Sequence, residues 1–439
     1  MQLYLGHNTY ADSFGGPRAD SMGIASGIAF RRSLLGGCRF AVGALIATCA
    51  GLSAQEIMLS DGGMVRLFAS DAAILEAQET RKDIACTVTP NKPALGFDLQ
   101  FHAGYDVAVP MKELAGPDNL LTMVFRVTPE GRPREATYFS QRTEVPKIDG
   151  DAKGDAVLHG SFDLGEGKYR VSWLMRDRAE RVCSFNWDAE ASLPLRDRQM
   201  TLDIPAGAVR ASEKEPFKQE PPVEREQRGG PLNIKVIVNF APQDSNSAAL
   251  QPLDTGALVS ILRSIAREPR INTFSIVAFN MQEQRVIYRQ QEASQIDFPA
   301  LGDALKTLNP GTVDFRQLAQ KHADSEFLRV LMTREIKEET ENPDAVIIAG
   351  PKVTFDDSGS QDALKQLGDA KVPVYYMNYN LNPQANPWRD ALGSVVRSFK
   401  GAEFTISRPR DLFFAWTEIM SRIVKSKFGR TVGSSPSSQ

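Results

Sequence analysis

The sequence contains few of the residues that most often mark a catalytic or redox site. Its 439 residues include only 4 histidines and 4 cysteines. It has no paired histidines at metal-ligand spacing and no CxxC pair, and neither a phosphate-binding loop nor a GxSxG turn follows a predicted strand. These absences argue against zinc, thiol-redox, nucleotide and serine-hydrolase chemistry. We therefore predict that the protein is not an enzyme, with a metal-assisted hydrolase built from scattered carboxylates as the alternative.

The sequence also lacks an excess of positive charge and a long apolar run. Its 51 Lys and Arg residues nearly balance its 54 Asp and Glu residues, which leaves a net charge of −3. That balance excludes the basic surface on which nucleic-acid binding depends. The apolar segment 40–52 is shorter than the roughly 20 residues that a transmembrane helix needs. We predict neither a nucleic-acid partner nor a transmembrane span.

The short apolar segment has the surroundings of an export signal. Arg31 and Arg32 precede segment 40–52, and small residues up to Ala54 follow it. A positive region, a short apolar core and a small residue before the cut are typical of a secretory signal. We therefore assign residues 1–54 to an upstream extension and a signal peptide cleaved near Ala54. The mature protein is then expected in the periplasm or outside the cell, and the paired arginines also resemble a twin-arginine signal.

Cleavage would leave two of the four cysteines in the mature chain. Cys38 and Cys49 lie in the predicted signal, whereas Cys86 and Cys183 follow it. An even pair in an exported protein favours one disulfide. Cys183 also shares one face of its predicted strand with Trp187, so it is expected to point into the core. Two buried free thiols are the alternative.

Residues 55–204 carry short strand patterns separated by turn residues. Eight candidate strands without a good helix pattern predict an all-β sandwich of the immunoglobulin-like kind. These predicted strands are 84–88, 95–102, 105–109, 120–127, 136–141, 157–163, 168–177 and 181–188.

Two segments are predicted to lack fixed structure. Residues 205–231 hold five prolines and dense mixed charge but few large apolar side chains. Such a segment buries too little apolar surface to offset its ordering entropy, so we predict an extended linker. The Ser- and Pro-containing tail, 429–439, is predicted to be disordered.

From residue 232 onward, strand and helix patterns alternate. The segment 232–239, LNIKVIVN, is short and rich in β-branched residues, as expected of a strand buried on both faces. The alternation predicts a doubly wound α/β domain over 232–428 with a mainly parallel central sheet. Further strands are predicted at 273–280, 285–289, 345–349, 372–378 and 403–406, and helices at 248–267, 298–308, 314–338, 362–369, 388–399 and 411–427.

This second half resembles a von Willebrand factor type A domain of the kind found in exported bacterial proteins. The resemblance rests on the element order, on the edge hairpin formed by strand 285–289, and on the turn Asn309-Pro310-Gly311-Thr312. It implies a ligand site in the loops at the C-terminal strand ends. It also implies a divalent cation held there by an Asp-x-Ser-x-Ser motif, a Thr and a further Asp. A flavodoxin-like doubly wound domain is the alternative.

The chain departs from that metal-binding motif. Asn239, Ala241 and Gln243 stand where the family has Asp, Ser and Ser, while Gly350 stands in the place of the second Asp. Only Thr312 keeps the expected residue type. Hard cations need anionic oxygen ligands, so we predict a degenerate metal-ion-dependent adhesion site and no cofactor. Asn239 and Thr312 are the remaining candidates for weak Mg or Ca binding.

We predict a non-catalytic, adhesion-like module that binds an unidentified protein partner through its top loops. These loops are 239–247, 309–315 and 350–358. The phenylalanines among the candidates are expected to make apolar contacts, with packing beneath the loops as the alternative. The candidate binding residues are Asn239, Phe240, Ala241, Gln243, Asp244, Thr312, Asp314, Phe315, Gly350, Phe355 and Asp356.

Two alternatives stay open for this rim. Acidic residues there, including Asp254 and Asp357, would allow a weak rebuilt metal site. The type A domain is alternatively a scaffold in an envelope or secretion assembly, with the β-sandwich making the contacts.

Overall fold

The computed structural model describes ten stretches of the chain: residues 55–58, 67–213, 215–226, 230–244, 247, 249–308, 323–338, 342–354, 367–381 and 390–429. Within these stretches, no helix combines the length and apolar character needed to cross a membrane. The predicted signal peptide, most of the predicted helix 362–369 and nearly all of the predicted C-terminal tail lie outside the described residues.

The first part of the described chain forms two antiparallel sheets. One sheet has the strand order β1-β5-β4-β7-β8 and the other has the order β2-β3-β6-β9. The strands are β1 (Gln55–Met58), β2 (Thr87–Leu95), β3 (Phe101–Pro110), β4 (Asn119–Pro129), β5 (Thr137–Val145), β6 (Asp155–Leu164), β7 (Gly167–Arg176), β8 (Val182–Ala191) and β9 (Val209–Ala211).

Side chains from both sheets share one hydrophobic core. Tyr105 of β3 packs edge-on against Phe125 of β4 and Trp173 of β7, with ring centroids 5.4 and 5.6 Å apart. Cys86 and Cys183 form a disulfide with their Cα atoms 6.4 Å apart. Because Cys86 directly precedes β2 and Cys183 lies on β8, this bond joins the two sheets.

The structure of this part differs from the prediction in one strand and in one helix. Residues 96–100 of the predicted strand 95–102 form a turn between β2 and β3. In this turn, Leu99 takes a left-handed conformation and Gly96 N–H donates to the carbonyl of Gln100 at 2.8 Å. A helix, α1 (Ala69–Ala77), lies where no helix was predicted. Its ASDAAILEA sequence is rich in helix-forming residues, and Ile74 and Leu75 pack on the β4–β7 surface.

The second part is a six-stranded sheet with helices. Its strand order is β12-β11-β10-β13-β14-β15, and only β12 runs antiparallel to its neighbour. This confirms the predicted mainly parallel sheet and its edge hairpin. The strands are β10 (Leu232–Asn239), β11 (Ile271–Asn280), β12 (Arg285–Ala293), β13 (Ala345–Gly350), β14 (Val374–Tyr379) and β15 (Ala402–Ile406). The helices are α2 (Pro252–Ala266), α3 (Phe298–Leu305), α4 (Ala323–Met332), α5 (Ala391–Ser398) and α6 (Pro409–Phe428).

Strand β10 is buried on both of its faces. Val236 and Val238 belong to the core that α2 and α6 cover, whereas Ile237 belongs to the core beneath α4 and α5. Double coverage explains why most residues of the strand are apolar on both faces rather than on alternating positions. The strand order reverses between β10 and β13, and the C-terminal ends of such a pair form the crevice where doubly wound sheets bind ligands.

The segment 205–231 differs from the predicted linker. It contributes β9, which pairs with β6. Phe217 lies against Gly302 of α3. Glu220 is buried and forms ion pairs with Arg263 at 2.8 Å and Arg267 at 2.7 Å. Within this segment, Phe217 and Glu220 thus have partners in the α/β part, whereas β9 pairs with the first part of the chain.

Candidate functional site

Asn239 and Gly350 meet at the crevice between β10 and β13. Val238 pairs with Ala349, so the next residues on each strand are neighbours, and Gly350 in turn pairs with Asn378 of β14. Asn239, Gly350 and Asn378 thus form a row across the C-terminal edge of the sheet. Two of the sequence-predicted site residues, Asn239 and Gly350, are therefore brought together.

Asn239 is committed to internal structure. It is fully buried, and its Oδ1 accepts a hydrogen bond from Met281 N at 3.1 Å. Its Nδ2 has no hydrogen-bond partner in the described part of the chain. The side chain therefore ties the end of β10 to the turn that follows β11.

Gly350 leaves no space for a side chain. Its φ of +152° is one that L residues rarely adopt, and a Cβ atom added there would lie 2.8 Å from the Cβ of Asn239. Only glycine fits this close approach without a shift of the backbone. An aspartate therefore cannot stand here without a shift of the backbone.

Backbone carbonyls of the loop after β10 are held by side chains of neighbouring strands. Asn280 Nδ2 donates to the carbonyl of Phe240 at 2.6 Å, and the Tyr379 hydroxyl donates to the carbonyl of Ala241 at 3.3 Å. Burial raises the pKa of Tyr379, and the nearby Asp254 acts in the same direction. The hydroxyl thus stays protonated and able to donate.

Gln243 fastens the same loop to the chain beyond β14. Its Nε2 donates to Asn380 Oδ1 at 3.2 Å, while its Oε1 accepts from Leu381 N at 2.8 Å. Both ends of the amide are thus occupied by protein groups. The neighbouring Asp244 is exposed.

Phe240 was predicted among the surface contacts, and the structure buries it instead. Its side chain is fully buried and packs on Phe217, with ring centroids 6.5 Å apart. Ala241 is buried as well. A large apolar side chain at this point extends the core, so the alternative of packing beneath the loop holds for Phe240.

Leu253, at the start of α2, is the exposed apolar residue of this edge that sequence reasoning missed. It lies within the predicted helix 248–267, and its side chain is 63% exposed. At about 100° per residue, Leu253 points roughly 140° away from Leu258 of the buried face. That angle was the available signal. Asp254, predicted on the rim, is buried and accepts from Gln251 N at 3.3 Å, so it caps the helix.

The described residues at this edge do not fit a divalent cation. Asn239 Oδ1 and Gln243 Oε1 already accept backbone hydrogen bonds, and Ala241 and Gly350 offer no side-chain oxygen. No group of three or more His, Cys, Asp and Glu side chains with metal-binding geometry occurs among the described residues. Several predicted site residues fall outside that part of the chain: Thr312, Asp314, Phe315, Phe355, Asp356 and Asp357.

A buried carboxyl group that was not predicted lies at the N-terminus of α5. Asp390 Oδ1 accepts from Leu392 N at 3.1 Å and from Val353 N at 3.2 Å. Burial raises the pKa of Asp390 to about 6, against these hydrogen bonds and with help from the charge of Glu403. Glu403 Oε1 accepts from Asn378 Nδ2 at 2.6 Å. This cluster orders the edge between β14, β15 and α5.

The two histidines of β3 and β6 lie on the outer face of their sheet and bind carboxylates. His102 lies 2.8 Å from Asp163 and 3.0 Å from Asp98, and these bonds raise its pKa to about 10. His159 lies 2.5 Å from Asp106. A shallow furrow of about 340 Å³ runs between them. The third histidine of the mature chain, at position 322, falls outside the described residues.

No protein-family model matches the sequence, and no curated protein matches it either. Among solved structures, the chain is similar to the PilB minor pilin from Streptococcus sanguinis, at 8% identity and a TM-score of 0.29, over 71% of this chain and 89% of the pilin. It is similar to proximal thread matrix protein 1 from the mussel byssus, at 14% identity and a TM-score of 0.23, over 44% of this chain and 46% of that one. A glycosyl hydrolase family 2 member from Bacteroides cellulosilyticus is similar at 9% identity and a TM-score of 0.18, over 73% of this chain and 38% of the hydrolase. TM-scores this low carry no argument about the fold or function of this chain.

Proposed function

We propose that the protein is an exported, non-catalytic binding protein with a von Willebrand factor type A-like second half. The order of the six-stranded sheet, with its reversal between β10 and β13 and its single antiparallel edge strand, supports that assignment. The disulfide supports export, because disulfides persist in oxidising compartments. The partner is a protein that docks on the C-terminal edge of the sheet.

The observation that carries the proposal is the way the loop after β10 is held. Hydrogen bonds from Asn280, Tyr379 and Gln243 pin this loop where the related domains use a cation. A loop ordered in advance loses less conformational entropy when a partner binds. The loop and the first turn of α2 present Asp244 and Leu253 to solvent. An exposed leucine beside a fixed polar loop is the arrangement of a small protein-binding surface.

A scaffold role through the β-sandwich is the second candidate, and a different exposed leucine favours it. Leu195, which follows β8, is 77% exposed. Two residues later, Asp197 forms an ion pair with Arg410 of α6 at 2.7 Å. The leucine therefore stands on a supported part of the sandwich surface, suited to a contact there.

The two candidates are separated by a pair of matched substitutions. The tagged protein is incubated with an envelope extract of its own source, and the recovered protein is compared for wild type, Leu253→Arg and Leu195→Arg. Binding through the sheet edge predicts loss of capture for Leu253→Arg alone. Loss for Leu195→Arg alone supports the scaffold role, and equal capture by all three forms contradicts both.

The proposed cation-free edge has its own test. Thermal unfolding is followed with EDTA, with Mg²⁺ and with Ca²⁺. The melting temperature should stay the same, because the site residues of this edge already bind protein groups. A cation that binds only the folded state would raise the melting temperature with concentration, and such a rise would overturn this part of the proposal.

A further inference from the structure

A lysine is buried in the middle of the central sheet. Lys235 lies in the first half of β10, between Ser275 of β11 and Val346 of β13, and is 4% exposed. Its neighbours along the strand are apolar. A buried ammonium group is unfavourable unless other groups compensate its charge. The position therefore calls for an explanation beyond packing.

A buried carboxylate compensates Lys235 and is itself shared among cations. Glu335 lies 2.9 Å from Lys235 Nζ and 2.7 Å from Arg289 Nη2, and Arg334 Nε lies 3.8 Å away. Burial alone would raise the pKa of Glu335, but Arg289 and Lys235 lower it below its usual value. The carboxylate thus stays ionised and cannot neutralise all of the cations around it.

Two local irregularities open a cavity beside this cluster. The helix α4 continues into a π-helical turn, Thr333–Lys337, and such turns often occur at functional sites. The pairing of β11 with β12 shifts register between Phe274 and Ile276. A bulge of this kind often re-aims side chains beside a site. The polar cavity between them has a volume of about 130 Å³.

The lining of the cavity carries more positive than negative charge. Lys235, Arg289 and Arg334 face it together with only two carboxylates, Glu335 and Glu338. The guanidinium of Arg334 remains mostly exposed, so it is accessible from solvent. Two guanidinium groups and an ammonium group near one point make charge-assisted, geometrically specific hydrogen bonds to oxyanions. In a partly buried cavity such interactions are screened less than at the surface.

We propose that this cavity binds a small oxyanion of the phosphate type. Arg334 supplies the approach from solvent, and Arg289 and Lys235 supply the inner contacts. The site lies beside the first half of β10 and does not include the C-terminal edge residues, so it is independent of the binding surface proposed above.

The test measures binding of inorganic phosphate by titration calorimetry at constant ionic strength, with sulfate and acetate as further probes. Wild type is compared with Arg334→Gln and with the control Arg329→Gln. Both variants lose one positive charge from the same helical segment, but Arg329 pairs with Glu326 and does not line the cavity. Loss of one charge-assisted hydrogen bond should weaken binding on the order of tenfold in Arg334→Gln only.

A gain-of-binding variant keeps the test decisive. Glu338→Gln removes one carboxylate from the lining and should tighten phosphate binding, whereas the same change at Glu326 should not. Absence of saturable phosphate or sulfate binding to wild type would overturn the proposal. Equal weakening by Arg334→Gln and Arg329→Gln would overturn it too, because the effect would then reflect net charge alone. Saturation by acetate but by neither tetrahedral anion would replace the phosphate class with a carboxylate.

Discussion

The charge of His102 is set by the carboxylates on either side of it. Hydrogen bonds that its ring N–H groups donate to Asp163 and Asp98 raise the pKa of His102 to about 10, so the imidazole is protonated over the neutral range. The side chain is 45% exposed, so solvent screens the interaction and its effect on stability is modest. A histidine on a predicted strand gave no sign of this pairing, because Asp98 and Asp163 come near it only through the turn before β3 and the pairing with β6.

We expect His102 to make stability depend on alkaline pH. Its pKa is higher in the folded state than the unperturbed value of 6.5, so its contribution is fully present below about pH 6.5 and is lost as pH rises through about 10. Urea unfolding across this range should therefore show a smaller decline for His102→Gln than for wild type. High salt should reduce the difference, and identical pH slopes for both forms would contradict the assignment.

Substitution of Gly350 is expected to destabilise the protein. Gly350→Ala places a Cβ atom 2.8 Å from that of Asn239, in a backbone conformation that L residues rarely adopt. Strain and crowding of this kind should destabilise the fold by about 1–3 kcal/mol in urea unfolding. Gly256→Ala is the matched control, because a Cβ there meets nothing within 4 Å on helix α2. The control should be neutral or stabilising by up to about 1 kcal/mol; equal effects would show that no close approach exists at Gly350.

At the scale of whole elements, helix α5 depends on a carboxyl group that resists ionisation. Asp390 caps its N-terminus through the hydrogen bond to Leu392 N, yet burial raises its pKa to about 6. Among the described residues, the titratable groups around it include Glu403, Tyr376, Lys352 and Arg397. Between about pH 3.8 and pH 6, Asp390 thus keeps a proton in the folded protein that it would release in the unfolded chain.

The raised pKa of Asp390 gives the stability of the protein a second pH dependence, at acidic rather than alkaline pH. The folded pKa of Asp390 is above its unfolded value of 3.8, so stability should fall as pH rises from about 3.8 to about 6. Asp390→Asn keeps an oxygen that caps the helix and has no charge to bury. Its stability should change less over this range, as thermal unfolding at several pH values will measure. A variant with the same slope as wild type would assign the dependence to another group.

The strands and helices differ in how well the sequence pattern predicted them. The strand β10 has the predicted bounds, because burial on both faces favours a short segment rich in β-branched apolar residues. Helix α1 and the π-helical turn after α4 were not foreseen. The first is short and packs through only a few side chains, and the second contains Glu335, whose partner Lys235 is distant in the sequence.

At the scale of the whole molecule, the described residues of segment 205–231, here called the strap, pack against other parts of the protein instead of forming a free linker. Its composition is that of a linker, yet Arg225 donates to the carbonyls of Glu268 and Ser294 at 2.9 Å each. Glu220 lies between Arg263 and Arg267 of the α2 region. The amino-acid composition of a segment shows how many apolar residues it has. It does not show which hydrogen bonds and ion pairs the segment forms with distant residues of the folded chain.

Glu220→Gln tests this packing. Removing the buried charge leaves Arg263, a mostly buried arginine, without its carboxylate, so we expect a loss on the order of 3 kcal/mol in urea unfolding. Glu213→Gln breaks an exposed pair with Lys218 in the same segment and should change little. Limited proteolysis should cut the segment faster in Glu220→Gln than in the control. Equal stability and equal cleavage would mean that the strap does not hold to the α/β part.

The sequence by itself determined the order of the described strands and helices of the second half, its mainly parallel sheet and the near absence of metal-ligating residues at the end of β10. These follow from residue type and periodicity, which act locally along the chain. Tertiary structure alone decided that Phe240 is core, that Gly350 must lack a side chain beside Asn239, and that Lys235, Arg289 and Glu335 share one cavity. Each of these depends on atoms that come together from distant parts of the chain. The local sequence pattern does not specify which side chains will be in contact.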